Sequence, residues 1–264
     1  MAQRRGWLLI GESTGHLIDT LRVLVARELR MRYKGSFLGI TWAILSPIGT
    51  VIILQFVFET VLKMGIPNFA IFMYTALLPW TWFANSVLAG ATTLTGNRDL
   101  VRTPFFAKSL LPAVVTCANF LMYLLALPVL LGLMVANGVP LTRALIALPV
   151  IWIAEAMLTL AFTVLIAAIG VLVHDVQHLM AVLMQFWFYL TPIFYDLSRV
   201  PPELTPVFTL NPMASIVTAH RAVTLYGRFP DWEGLAYTAL GSAALLGVSL
   251  FVFRTLEDAF IEAA

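Results

Sequence analysis

Polar and apolar positions along this chain sort into long blocks. Residues 14–34 mix the two at helical spacing. Leu17, Ile18, Leu21, Leu24, Val25 and Leu29 fall on one side, Asp19, Arg22, Arg27 and Arg30 towards the other, with Glu28 and Arg32 at the edge. That pattern predicts an amphipathic helix lying in a membrane interface, capped by Ser13 or Thr14; the competing reading packs it on the protein's own cytosolic parts. The basic run Arg27, Arg30, Arg32 and Lys34 then stops. From Phe37 to Leu62 the only charge is Glu59. A helix crosses the roughly 30 Å of hydrocarbon with about 20 apolar residues, so 37–62 is expected to span. Blocks of similar character follow at 69–92, 113–136, 145–172, 179–195 and 234–253.

The stretches between the blocks are short. Residues 63–68 form an outer turn. Residues 95–112, TGNRDLVRTPFFAKSLLP, are too charged to span and too few for a domain; Asn97 or Asp99 starts a short helix that Pro104 stops. Asn137-Gly138 makes a turn, and residues 174–178 a brief inner one. Residues 196–232 carry Pro201, Pro202, Pro206 and Pro212 and are too polar to span yet too apolar for a free loop. Two short amphipathic helices dipping into the outer leaflet, at about 200–228, fit best. The expected fold is all-α and integral to the membrane, with six transmembrane helices, an N-terminal amphipathic interface helix and two re-entrant gate helices between the fifth and sixth spans. Residues 1–34 form the cytosolic N-terminal segment and 35–264 the transmembrane domain.

Composition narrows this further. The chain is 60% hydrophobic and only 11% charged, with a mean hydropathy of +0.90. Soluble domains carry about 25% charged residues, and a soluble fold with so few could not cover its own surface. The basic residues set the orientation. Arg4, Arg5, Arg22, Arg27, Arg30, Arg32, Lys34, Arg98, Arg102, Lys108 and Arg254 fall inside; Lys63, Arg143, Arg199, Arg221 and Arg228 fall outside. Both termini are therefore expected in the cytosol. Cys117, the one cysteine, forms no intrachain disulfide and reads as a small buried apolar residue. Trp7 to Ile10 is too short for a signal-peptide core, so insertion is expected to rely on the spans.

Catalytic chemistry is sparse. There is no G-x-x-x-x-G-K-[ST]; the one Lys-Ser pair, Lys108-Ser109, lacks its glycines. There is no H-E-x-x-H, no cysteine pair and no D-x-x-D. His174 and His178 flank Asp175 at helical spacing, but two ligands at an exposed turn are a weak metal signal. A cytosolic contact is the plainer reading, and no metal or catalytic residue is expected. Glu155 is the one acid deep in a span, either a hydrogen-bonded structural group or a polar point on a translocation path. Trp42, Phe56, Trp80, Trp82, Phe83, Phe186, Phe188 and Tyr189 are large rings at span depth. Such rings stack on the C–H faces of sugars without gripping one hydroxyl, so a subset is expected to line a path while the rest pack.

RYKGSFLGITWAILSP (32–47), LLPWTWFANS (77–86), DLVRTPFFAKSLLP (99–112), LTPIFYDLSRVPP (190–202) and LNPM (210–213) occur in this order. They resemble the membrane subunits of type-2 ABC exporters of lipid-linked polysaccharides and polyol phosphates, O-antigen permeases above all. The resemblance implies a homodimer in the bacterial inner membrane, paired with two copies of a separate ATPase that binds the ATP and Mg²⁺. No cofactor is then expected in this chain, and no nucleic acid among its partners. It implies an undecaprenyl-diphosphate-linked polysaccharide as cargo, with Arg27, Arg30, Arg32 and Lys34 near the diphosphate and the membrane lipids. A coupling helix falls on 97–103, with Arg98, Asp99, Leu100, Val101 and Arg102 as contacts and His174, Asp175 and His178 as a second, smaller one. Pro201, Pro202, Asn211, Pro212, His220 and Arg221 fall in the outer gate.

Alternatives within the same fold are export of teichoic acid, capsule, or a small drug or lipid. A polytopic enzyme on lipid-linked sugars needs clustered acids or histidines at one membrane face, and only Asp175 and its two neighbouring histidines are available. An ion-coupled carrier would show internal repeats and several buried charges; the chain has no repeat and one buried acid.

Overall fold

The computed structural model describes residues 9–61, 63, 67–104, 106–173, 175–204, 208–257 and 260. The described residues contain helices and turns and no strand. In chain order the α-helices are α1 (Leu9–Arg32), α2 (Trp42–Gln55), α3 (Phe69–Thr93), α4 (Arg98–Arg102), α5 (Leu110–Ala136), α6 (Leu148–Leu172), α7 (Val176–Leu190), α8 (Pro212–Thr224) and α9 (Trp232–Thr255). Four helical stretches among the described residues are long and apolar enough to cross a membrane: Ile44–Val61, Leu110–Ala136, Arg143–Leu172 and Trp232–Thr255. Helix α3 has 25 residues, but Thr81, Asn85 and Ser86 dilute its apolar run. Helix α7 is apolar and only 15 residues long.

Several boundaries differ from the expected ones for local reasons. Helix α1 starts at Leu9, so Ser13 and Thr14 stand inside it rather than capping it. The first block does not turn helical at Phe37. Gly35 and Gly39 take positive φ (79° and 53°), a conformation glycine adopts freely, and a 3₁₀ turn at Gly39–Thr41 leads into α2. That helix finishes in a wider π turn at Phe56–Val61. The fifth block ends at Leu190, five residues early. Thr191 precedes Pro192 and is extended (φ −96°, ψ 135°), because the proline ring disfavours helical backbone at the residue before it. Of the two short helices expected at about 200–228, one forms as α8. The segment before it holds a 3₁₀ turn at Leu197–Arg199, and residues 205–207 lie outside the described set. At Asn137-Gly138 the turn forms as expected: Gly138 has φ 70°, and the Val139 N–H closes on the Met134 carbonyl at 2.8 Å.

Helix α3 is the centre of the bundle, packed on α5, α6, α7 and α8 and buried along most of its length. Its C-terminal half touches α6 backbone to backbone. A Cβ added at Gly170 would stand 2.2 Å from the Ala91 carbonyl oxygen, and one at Gly90 2.9 Å from the Thr163 methyl. Small residues at such crossings let two helices approach in lipid, where the hydrophobic effect does not drive them together. Helix α9 lies along α6 and α8, and α1 lies against α5. Helix α2 rests only lightly on the bundle: of the Ile44–Val61 window, 6% is buried.

Candidate functional site

At the basic end, α1 is part of the protein's packing as well as a surface helix. Val25 is buried against Val114 and Ala118 of α5, with Leu21, Leu24 and Leu29 around them, while Leu17 and Ile18 remain exposed. Self-packing thus holds around Val25, and the first turns of the helix keep apolar side chains uncovered by the described residues. The arginines differ sharply. Arg32 donates to Asn119 Oδ1 at 2.8 Å and sits 3.8 Å from Glu28. Arg27 donates to Asn97 Oδ1, also at 2.8 Å, tying α1 to the start of α4. Arg30 turns back onto its own helix, and Lys34 is exposed. Arg32 and Trp42 share a groove of about 250 Å³ with Asn85 and Asn119, between α1, α2, α3 and α5. Asn119 was not singled out from sequence, although a lone amide in the apolar run 113–136 was signal enough.

Helix α4 is a peg. Val101 is buried among Leu94, Leu111, Val164 and Phe253, and Leu100 is half-buried. Arg98, Asp99 and Arg102 point to solvent. Thr103 leaves the helix in extended backbone (φ −68°, ψ 123°), as the residue before Pro104 must. After it, Lys108 Nζ meets Glu257 Oε1 at 2.8 Å, so the segment following α4 is bolted to the C-terminal tail. Asp175 and His178 are exposed at the start of α7; His174 lies outside the described residues.

The aromatic residues divide into two sets. Trp80, Trp82 and Phe83 are buried, with at most 5% of their surface exposed. Trp82 faces α5, its indole N–H donating to the Thr116 carbonyl at 3.1 Å. Trp80 and Phe83 face α7, with ring centroids 5.5 Å from Phe188 and 5.1 Å from Trp187. Phe188 itself is half-buried. Trp42, Phe56, Phe186 and Tyr189 are 48–66% exposed, and they stand on α2, its π turn and the outer face of α7. These four rings are available to a partner or a passing ligand; the others hold the subunit together.

At the opposite end, polar side chains are engaged, from the half-buried Asn211 to the buried Arg221. Asn211 is the hub between α7 and α8. Its Oδ1 accepts from the Trp187 indole at 2.8 Å and from the Met213 N–H at 3.0 Å, capping α8. Its Nδ2 donates to the Leu190 carbonyl at 3.0 Å and to Thr191 Oγ1 at 3.2 Å. Pro212 opens α8, where its fixed φ suits a first helical position. Arg221 is 2% exposed. It donates to the carbonyls of Phe72 (3.2 Å), Ile193 (2.6 Å), Tyr195 (3.2 Å) and Pro192, and lies 3.5 Å over the Phe72 ring. One guanidinium fork thereby joins α8, α3 and the irregular turn after α7. Just outside, burial alone would raise the Asp196 carboxyl, but hydrogen bonds from Ser198 and Tyr226 and the charge of Arg221 hold it below the usual carboxylate value. Pro201 and Pro202 are exposed.

Glu155 lies inside the protein, fully buried. Its Oε2 is 3.7 Å from His220 Nε2, too long for a hydrogen bond. The other ring nitrogen, Nδ1, lies 3.0 Å from the Ile216 carbonyl; a carbonyl only accepts, so Nδ1 carries the hydrogen and Nε2 faces the carboxyl. Both Glu155 oxygens, Thr159 Oγ1 and His220 Nε2 make no hydrogen bond to described residues. They form a polar seam between α6 and α8. Of its members, Thr159 carried no sequence signal: a threonine four residues from an acid is ordinary in an apolar helix.

Residues 19–225 match the family ABC-2 type transporter. Among characterised proteins, the chain is 37% identical over 241 residues to the O-antigen export system permease protein RfbA of Myxococcus xanthus, covering 90% of this chain and 93% of that protein. It is 27% identical to the protein of the same name from Klebsiella pneumoniae, over 94% and 96% of the two chains. To the polysialic acid transport protein KpsM of Escherichia coli it is 22% identical, over 92% and 95%. With the family matched across most of its length and a relative above 30% identity aligned nearly end to end, the chain belongs to the ABC-2 type transporter family.

Proposed function

We propose that this chain is the membrane subunit of an ATP-driven exporter of undecaprenyl-diphosphate-linked polysaccharide, O-antigen in type. The observation that carries the reading is the 37% identity to an O-antigen export permease, extending over 90% of the chain. In this reading the protein sits in the bacterial inner membrane with both termini in the cytosol. It has six spans, α3 and the short α7 joining the four clear ones. Two copies face each other across α2 and α7, two helices that the rest of the subunit leaves largely exposed. Two copies of a separate ATPase bind ATP and Mg²⁺ and dock on Arg98, Asp99 and Arg102, with the start of α7 as a smaller contact.

The inner groove beside Arg32 receives the diphosphate end of the cargo, where a guanidinium can pair with phosphate oxygens at two points. Arg27, Arg30 and Lys34 add attraction to anionic headgroups. The polymer passes Trp42, Phe56, Phe186 and Tyr189 along the seam. Helix α8 and the Pro201–Pro202 segment close the outer mouth. Similarity to KpsM favours capsule as the runner-up cargo.

The test is co-purification with the candidate ATPase, followed by an ATPase assay of the complex with Asp99 and Arg102 intact or both reversed in charge. A stable complex whose hydrolysis stops responding to lipid-linked polysaccharide on reversal supports the reading. A chain that is active as a catalyst or proton-coupled carrier without any ATPase sinks it.

A further inference from the structure

A second groove, of about 840 Å³, opens between α8 and α9 and is floored by Leu158 and Phe162 of α6. It is within the 300–1,000 Å³ range of small-ligand sites. Along α9 its wall runs from Gly234 to Leu245, which at 1.5 Å per residue is about 16 Å. That is about one leaflet of a 30 Å hydrocarbon layer. Nothing assigned to export above uses this space.

The wall is less polar than its sequence suggests. Thr218 donates its hydroxyl to the Ala214 and Ser215 carbonyls (2.8 and 3.0 Å), Thr238 to Gly234 (2.9 Å), and Ser242 to Thr238 (2.6 Å). Each donor is spent on its own helix, so these residues offer the groove mainly carbon. A sugar would find few free donors here, whereas an alkyl chain loses nothing. The charged residues of the lining, Arg228, Asp196 and Asp231, gather at the end where α9 begins, Asp196 bonded to Tyr226, Arg228 over the same ring and Asp231 at the helix cap. Arg228 makes no ion pair among the described residues and stands 5.3 Å over the Tyr226 ring. Asp231 caps α9 by accepting from the Glu233 N–H, and Asp196 accepts from Ser198 and Tyr226. Each carboxylate keeps further acceptor sites.

We propose that this groove holds one acyl chain of an outer-leaflet glycerophospholipid whose headgroup carries both a phosphate and an ammonium, the phosphate at Arg228 and the ammonium at Asp196 and Asp231. A cation and two carboxylates around one opening match that zwitterion. They fit a purely anionic headgroup less well, since the carboxylates would repel it. The bound chain fills the space between α8 and α9 and seats the gate helix. The leaflet assignment rests on the orientation proposed above.

The test uses the full-length protein in native-lipid nanodiscs and a phosphatidylethanolamine probe with a photoreactive diazirine in its acyl chain. Adducts are mapped by peptide mass spectrometry. They are expected on residues 212–224 and 232–245. Gly241→Phe adds a ring where a new Cβ meets nothing within 4 Å; it should remove those adducts while leaving the annular ones on α2, with the melting temperature unchanged. Arg228→Gln should lower groove labelling roughly fivefold, as loss of one charge-assisted hydrogen bond at an exposed site does, without affecting a diacylglycerol probe. Adducts confined to α2 and α7, equal groove labelling in Gly241→Phe, or displacement by soluble oligosaccharide but not by phospholipid would each overturn the proposal. Labelling of Arg228→Cys by a membrane-impermeant maleimide in intact spheroplasts reads the orientation separately. Groove adducts with labelling only from the inside would keep the lipid site and remove its outer-leaflet placement.

Discussion

The two ends of this protein are held by different physics. At the Asn211–Arg221 end the fastening groups are engaged with backbone: the buried Arg221 meets four carbonyls, and the half-buried Asn211 both caps α8 and holds the last carbonyl of α7. At the α4 end the helix itself is held by the apolar plug Val101, with side-chain ties on either side of it from Arg27 to Asn97 and from Lys108 to Glu257, while Arg98, Asp99 and Arg102 are exposed. Buried donors and acceptors cannot exchange their partners for solvent, so that end has one geometry. Exposed charges can change partner at little cost, which suits the docking role proposed for α4.

Removing the most buried fastener sharpens this contrast most. Arg221→Ala strips hydrogen bonds from the carbonyls of Phe72, Pro192, Ile193 and Tyr195 together and leaves a cavity. A loss of about 4 kcal/mol is expected, read as a fall in the melting temperature in detergent or failure to accumulate in membranes. Arg221→Lys should recover little, because an ammonium cannot span the same fork of acceptors. Recovery of wild-type stability by lysine would mean that charge, not geometry, holds this end.

Asn211→Ala comes next, at about 2 kcal/mol, combining a lost helix cap with two unpaired groups at the end of α7. Asn211→Asp separates the contributions. It keeps the acceptor for the Met213 and Trp187 N–H groups and loses the donors to Leu190 and Thr191, so about half the stability should return. Melting curves of the two variants, side by side, decide it.

At the α4 end the same kind of measurement should show almost nothing. Reversing Asp99 and Arg102 together is expected to shift stability by less than about 0.5 kcal/mol, as surface substitutions do, while coupling to the ATPase is lost. If the double reversal unfolds the protein, α4 is a structural element and the contrast between the ends collapses. Breaking the Lys108–Glu257 pair by Lys108→Gln should cost about 1 kcal/mol or less and should matter less as salt rises, since Glu257 is 41% exposed.

Which of these features can be read from sequence follows from how local their causes are. The short α4 ahead of Pro104 and the Asn137-Gly138 turn depend on neighbours a few residues away, and each appears where its residues predict. The early end of α7 was also local, for Pro192 dictates the backbone of Thr191, yet apolarity running on to Ile193 and Phe194 hid it. Ring orientation was not legible. Helix α3 is apolar almost all round, so nothing in its spacing separates Trp82, which faces α5, from Trp80 and Phe83, which face α7. Asn211 and Arg221 look like gate residues in a proline-rich loop; that each bonds groups 20 or more positions away exists only in three dimensions.

The smallest expected effect is one of pH, at the rim of the tightly held end. Asp196 is held below the usual carboxylate value by the hydrogen bonds of Ser198 and Tyr226 and by the charge of Arg221, which outweigh the opposing effect of burial. A group with a depressed folded value stabilises the fold above its unfolded value and loses that contribution as pH falls through the folded one. The contribution should therefore be complete near neutrality and fade only below the ordinary aspartate value of about 3.9. Its size is modest, since the carboxyl is partly open to water. Wild type and Asp196→Asn should differ in melting temperature at pH 7, and the difference should narrow as pH falls to 3 and below. A difference that persists unchanged at pH 3 would mean that Asp196 acts through shape or as an amide-replaceable hydrogen-bond acceptor. The one ionisable group joining Ser198, Tyr226 and the Arg221 fork would then carry no charge-dependent share of the contrast between the two ends.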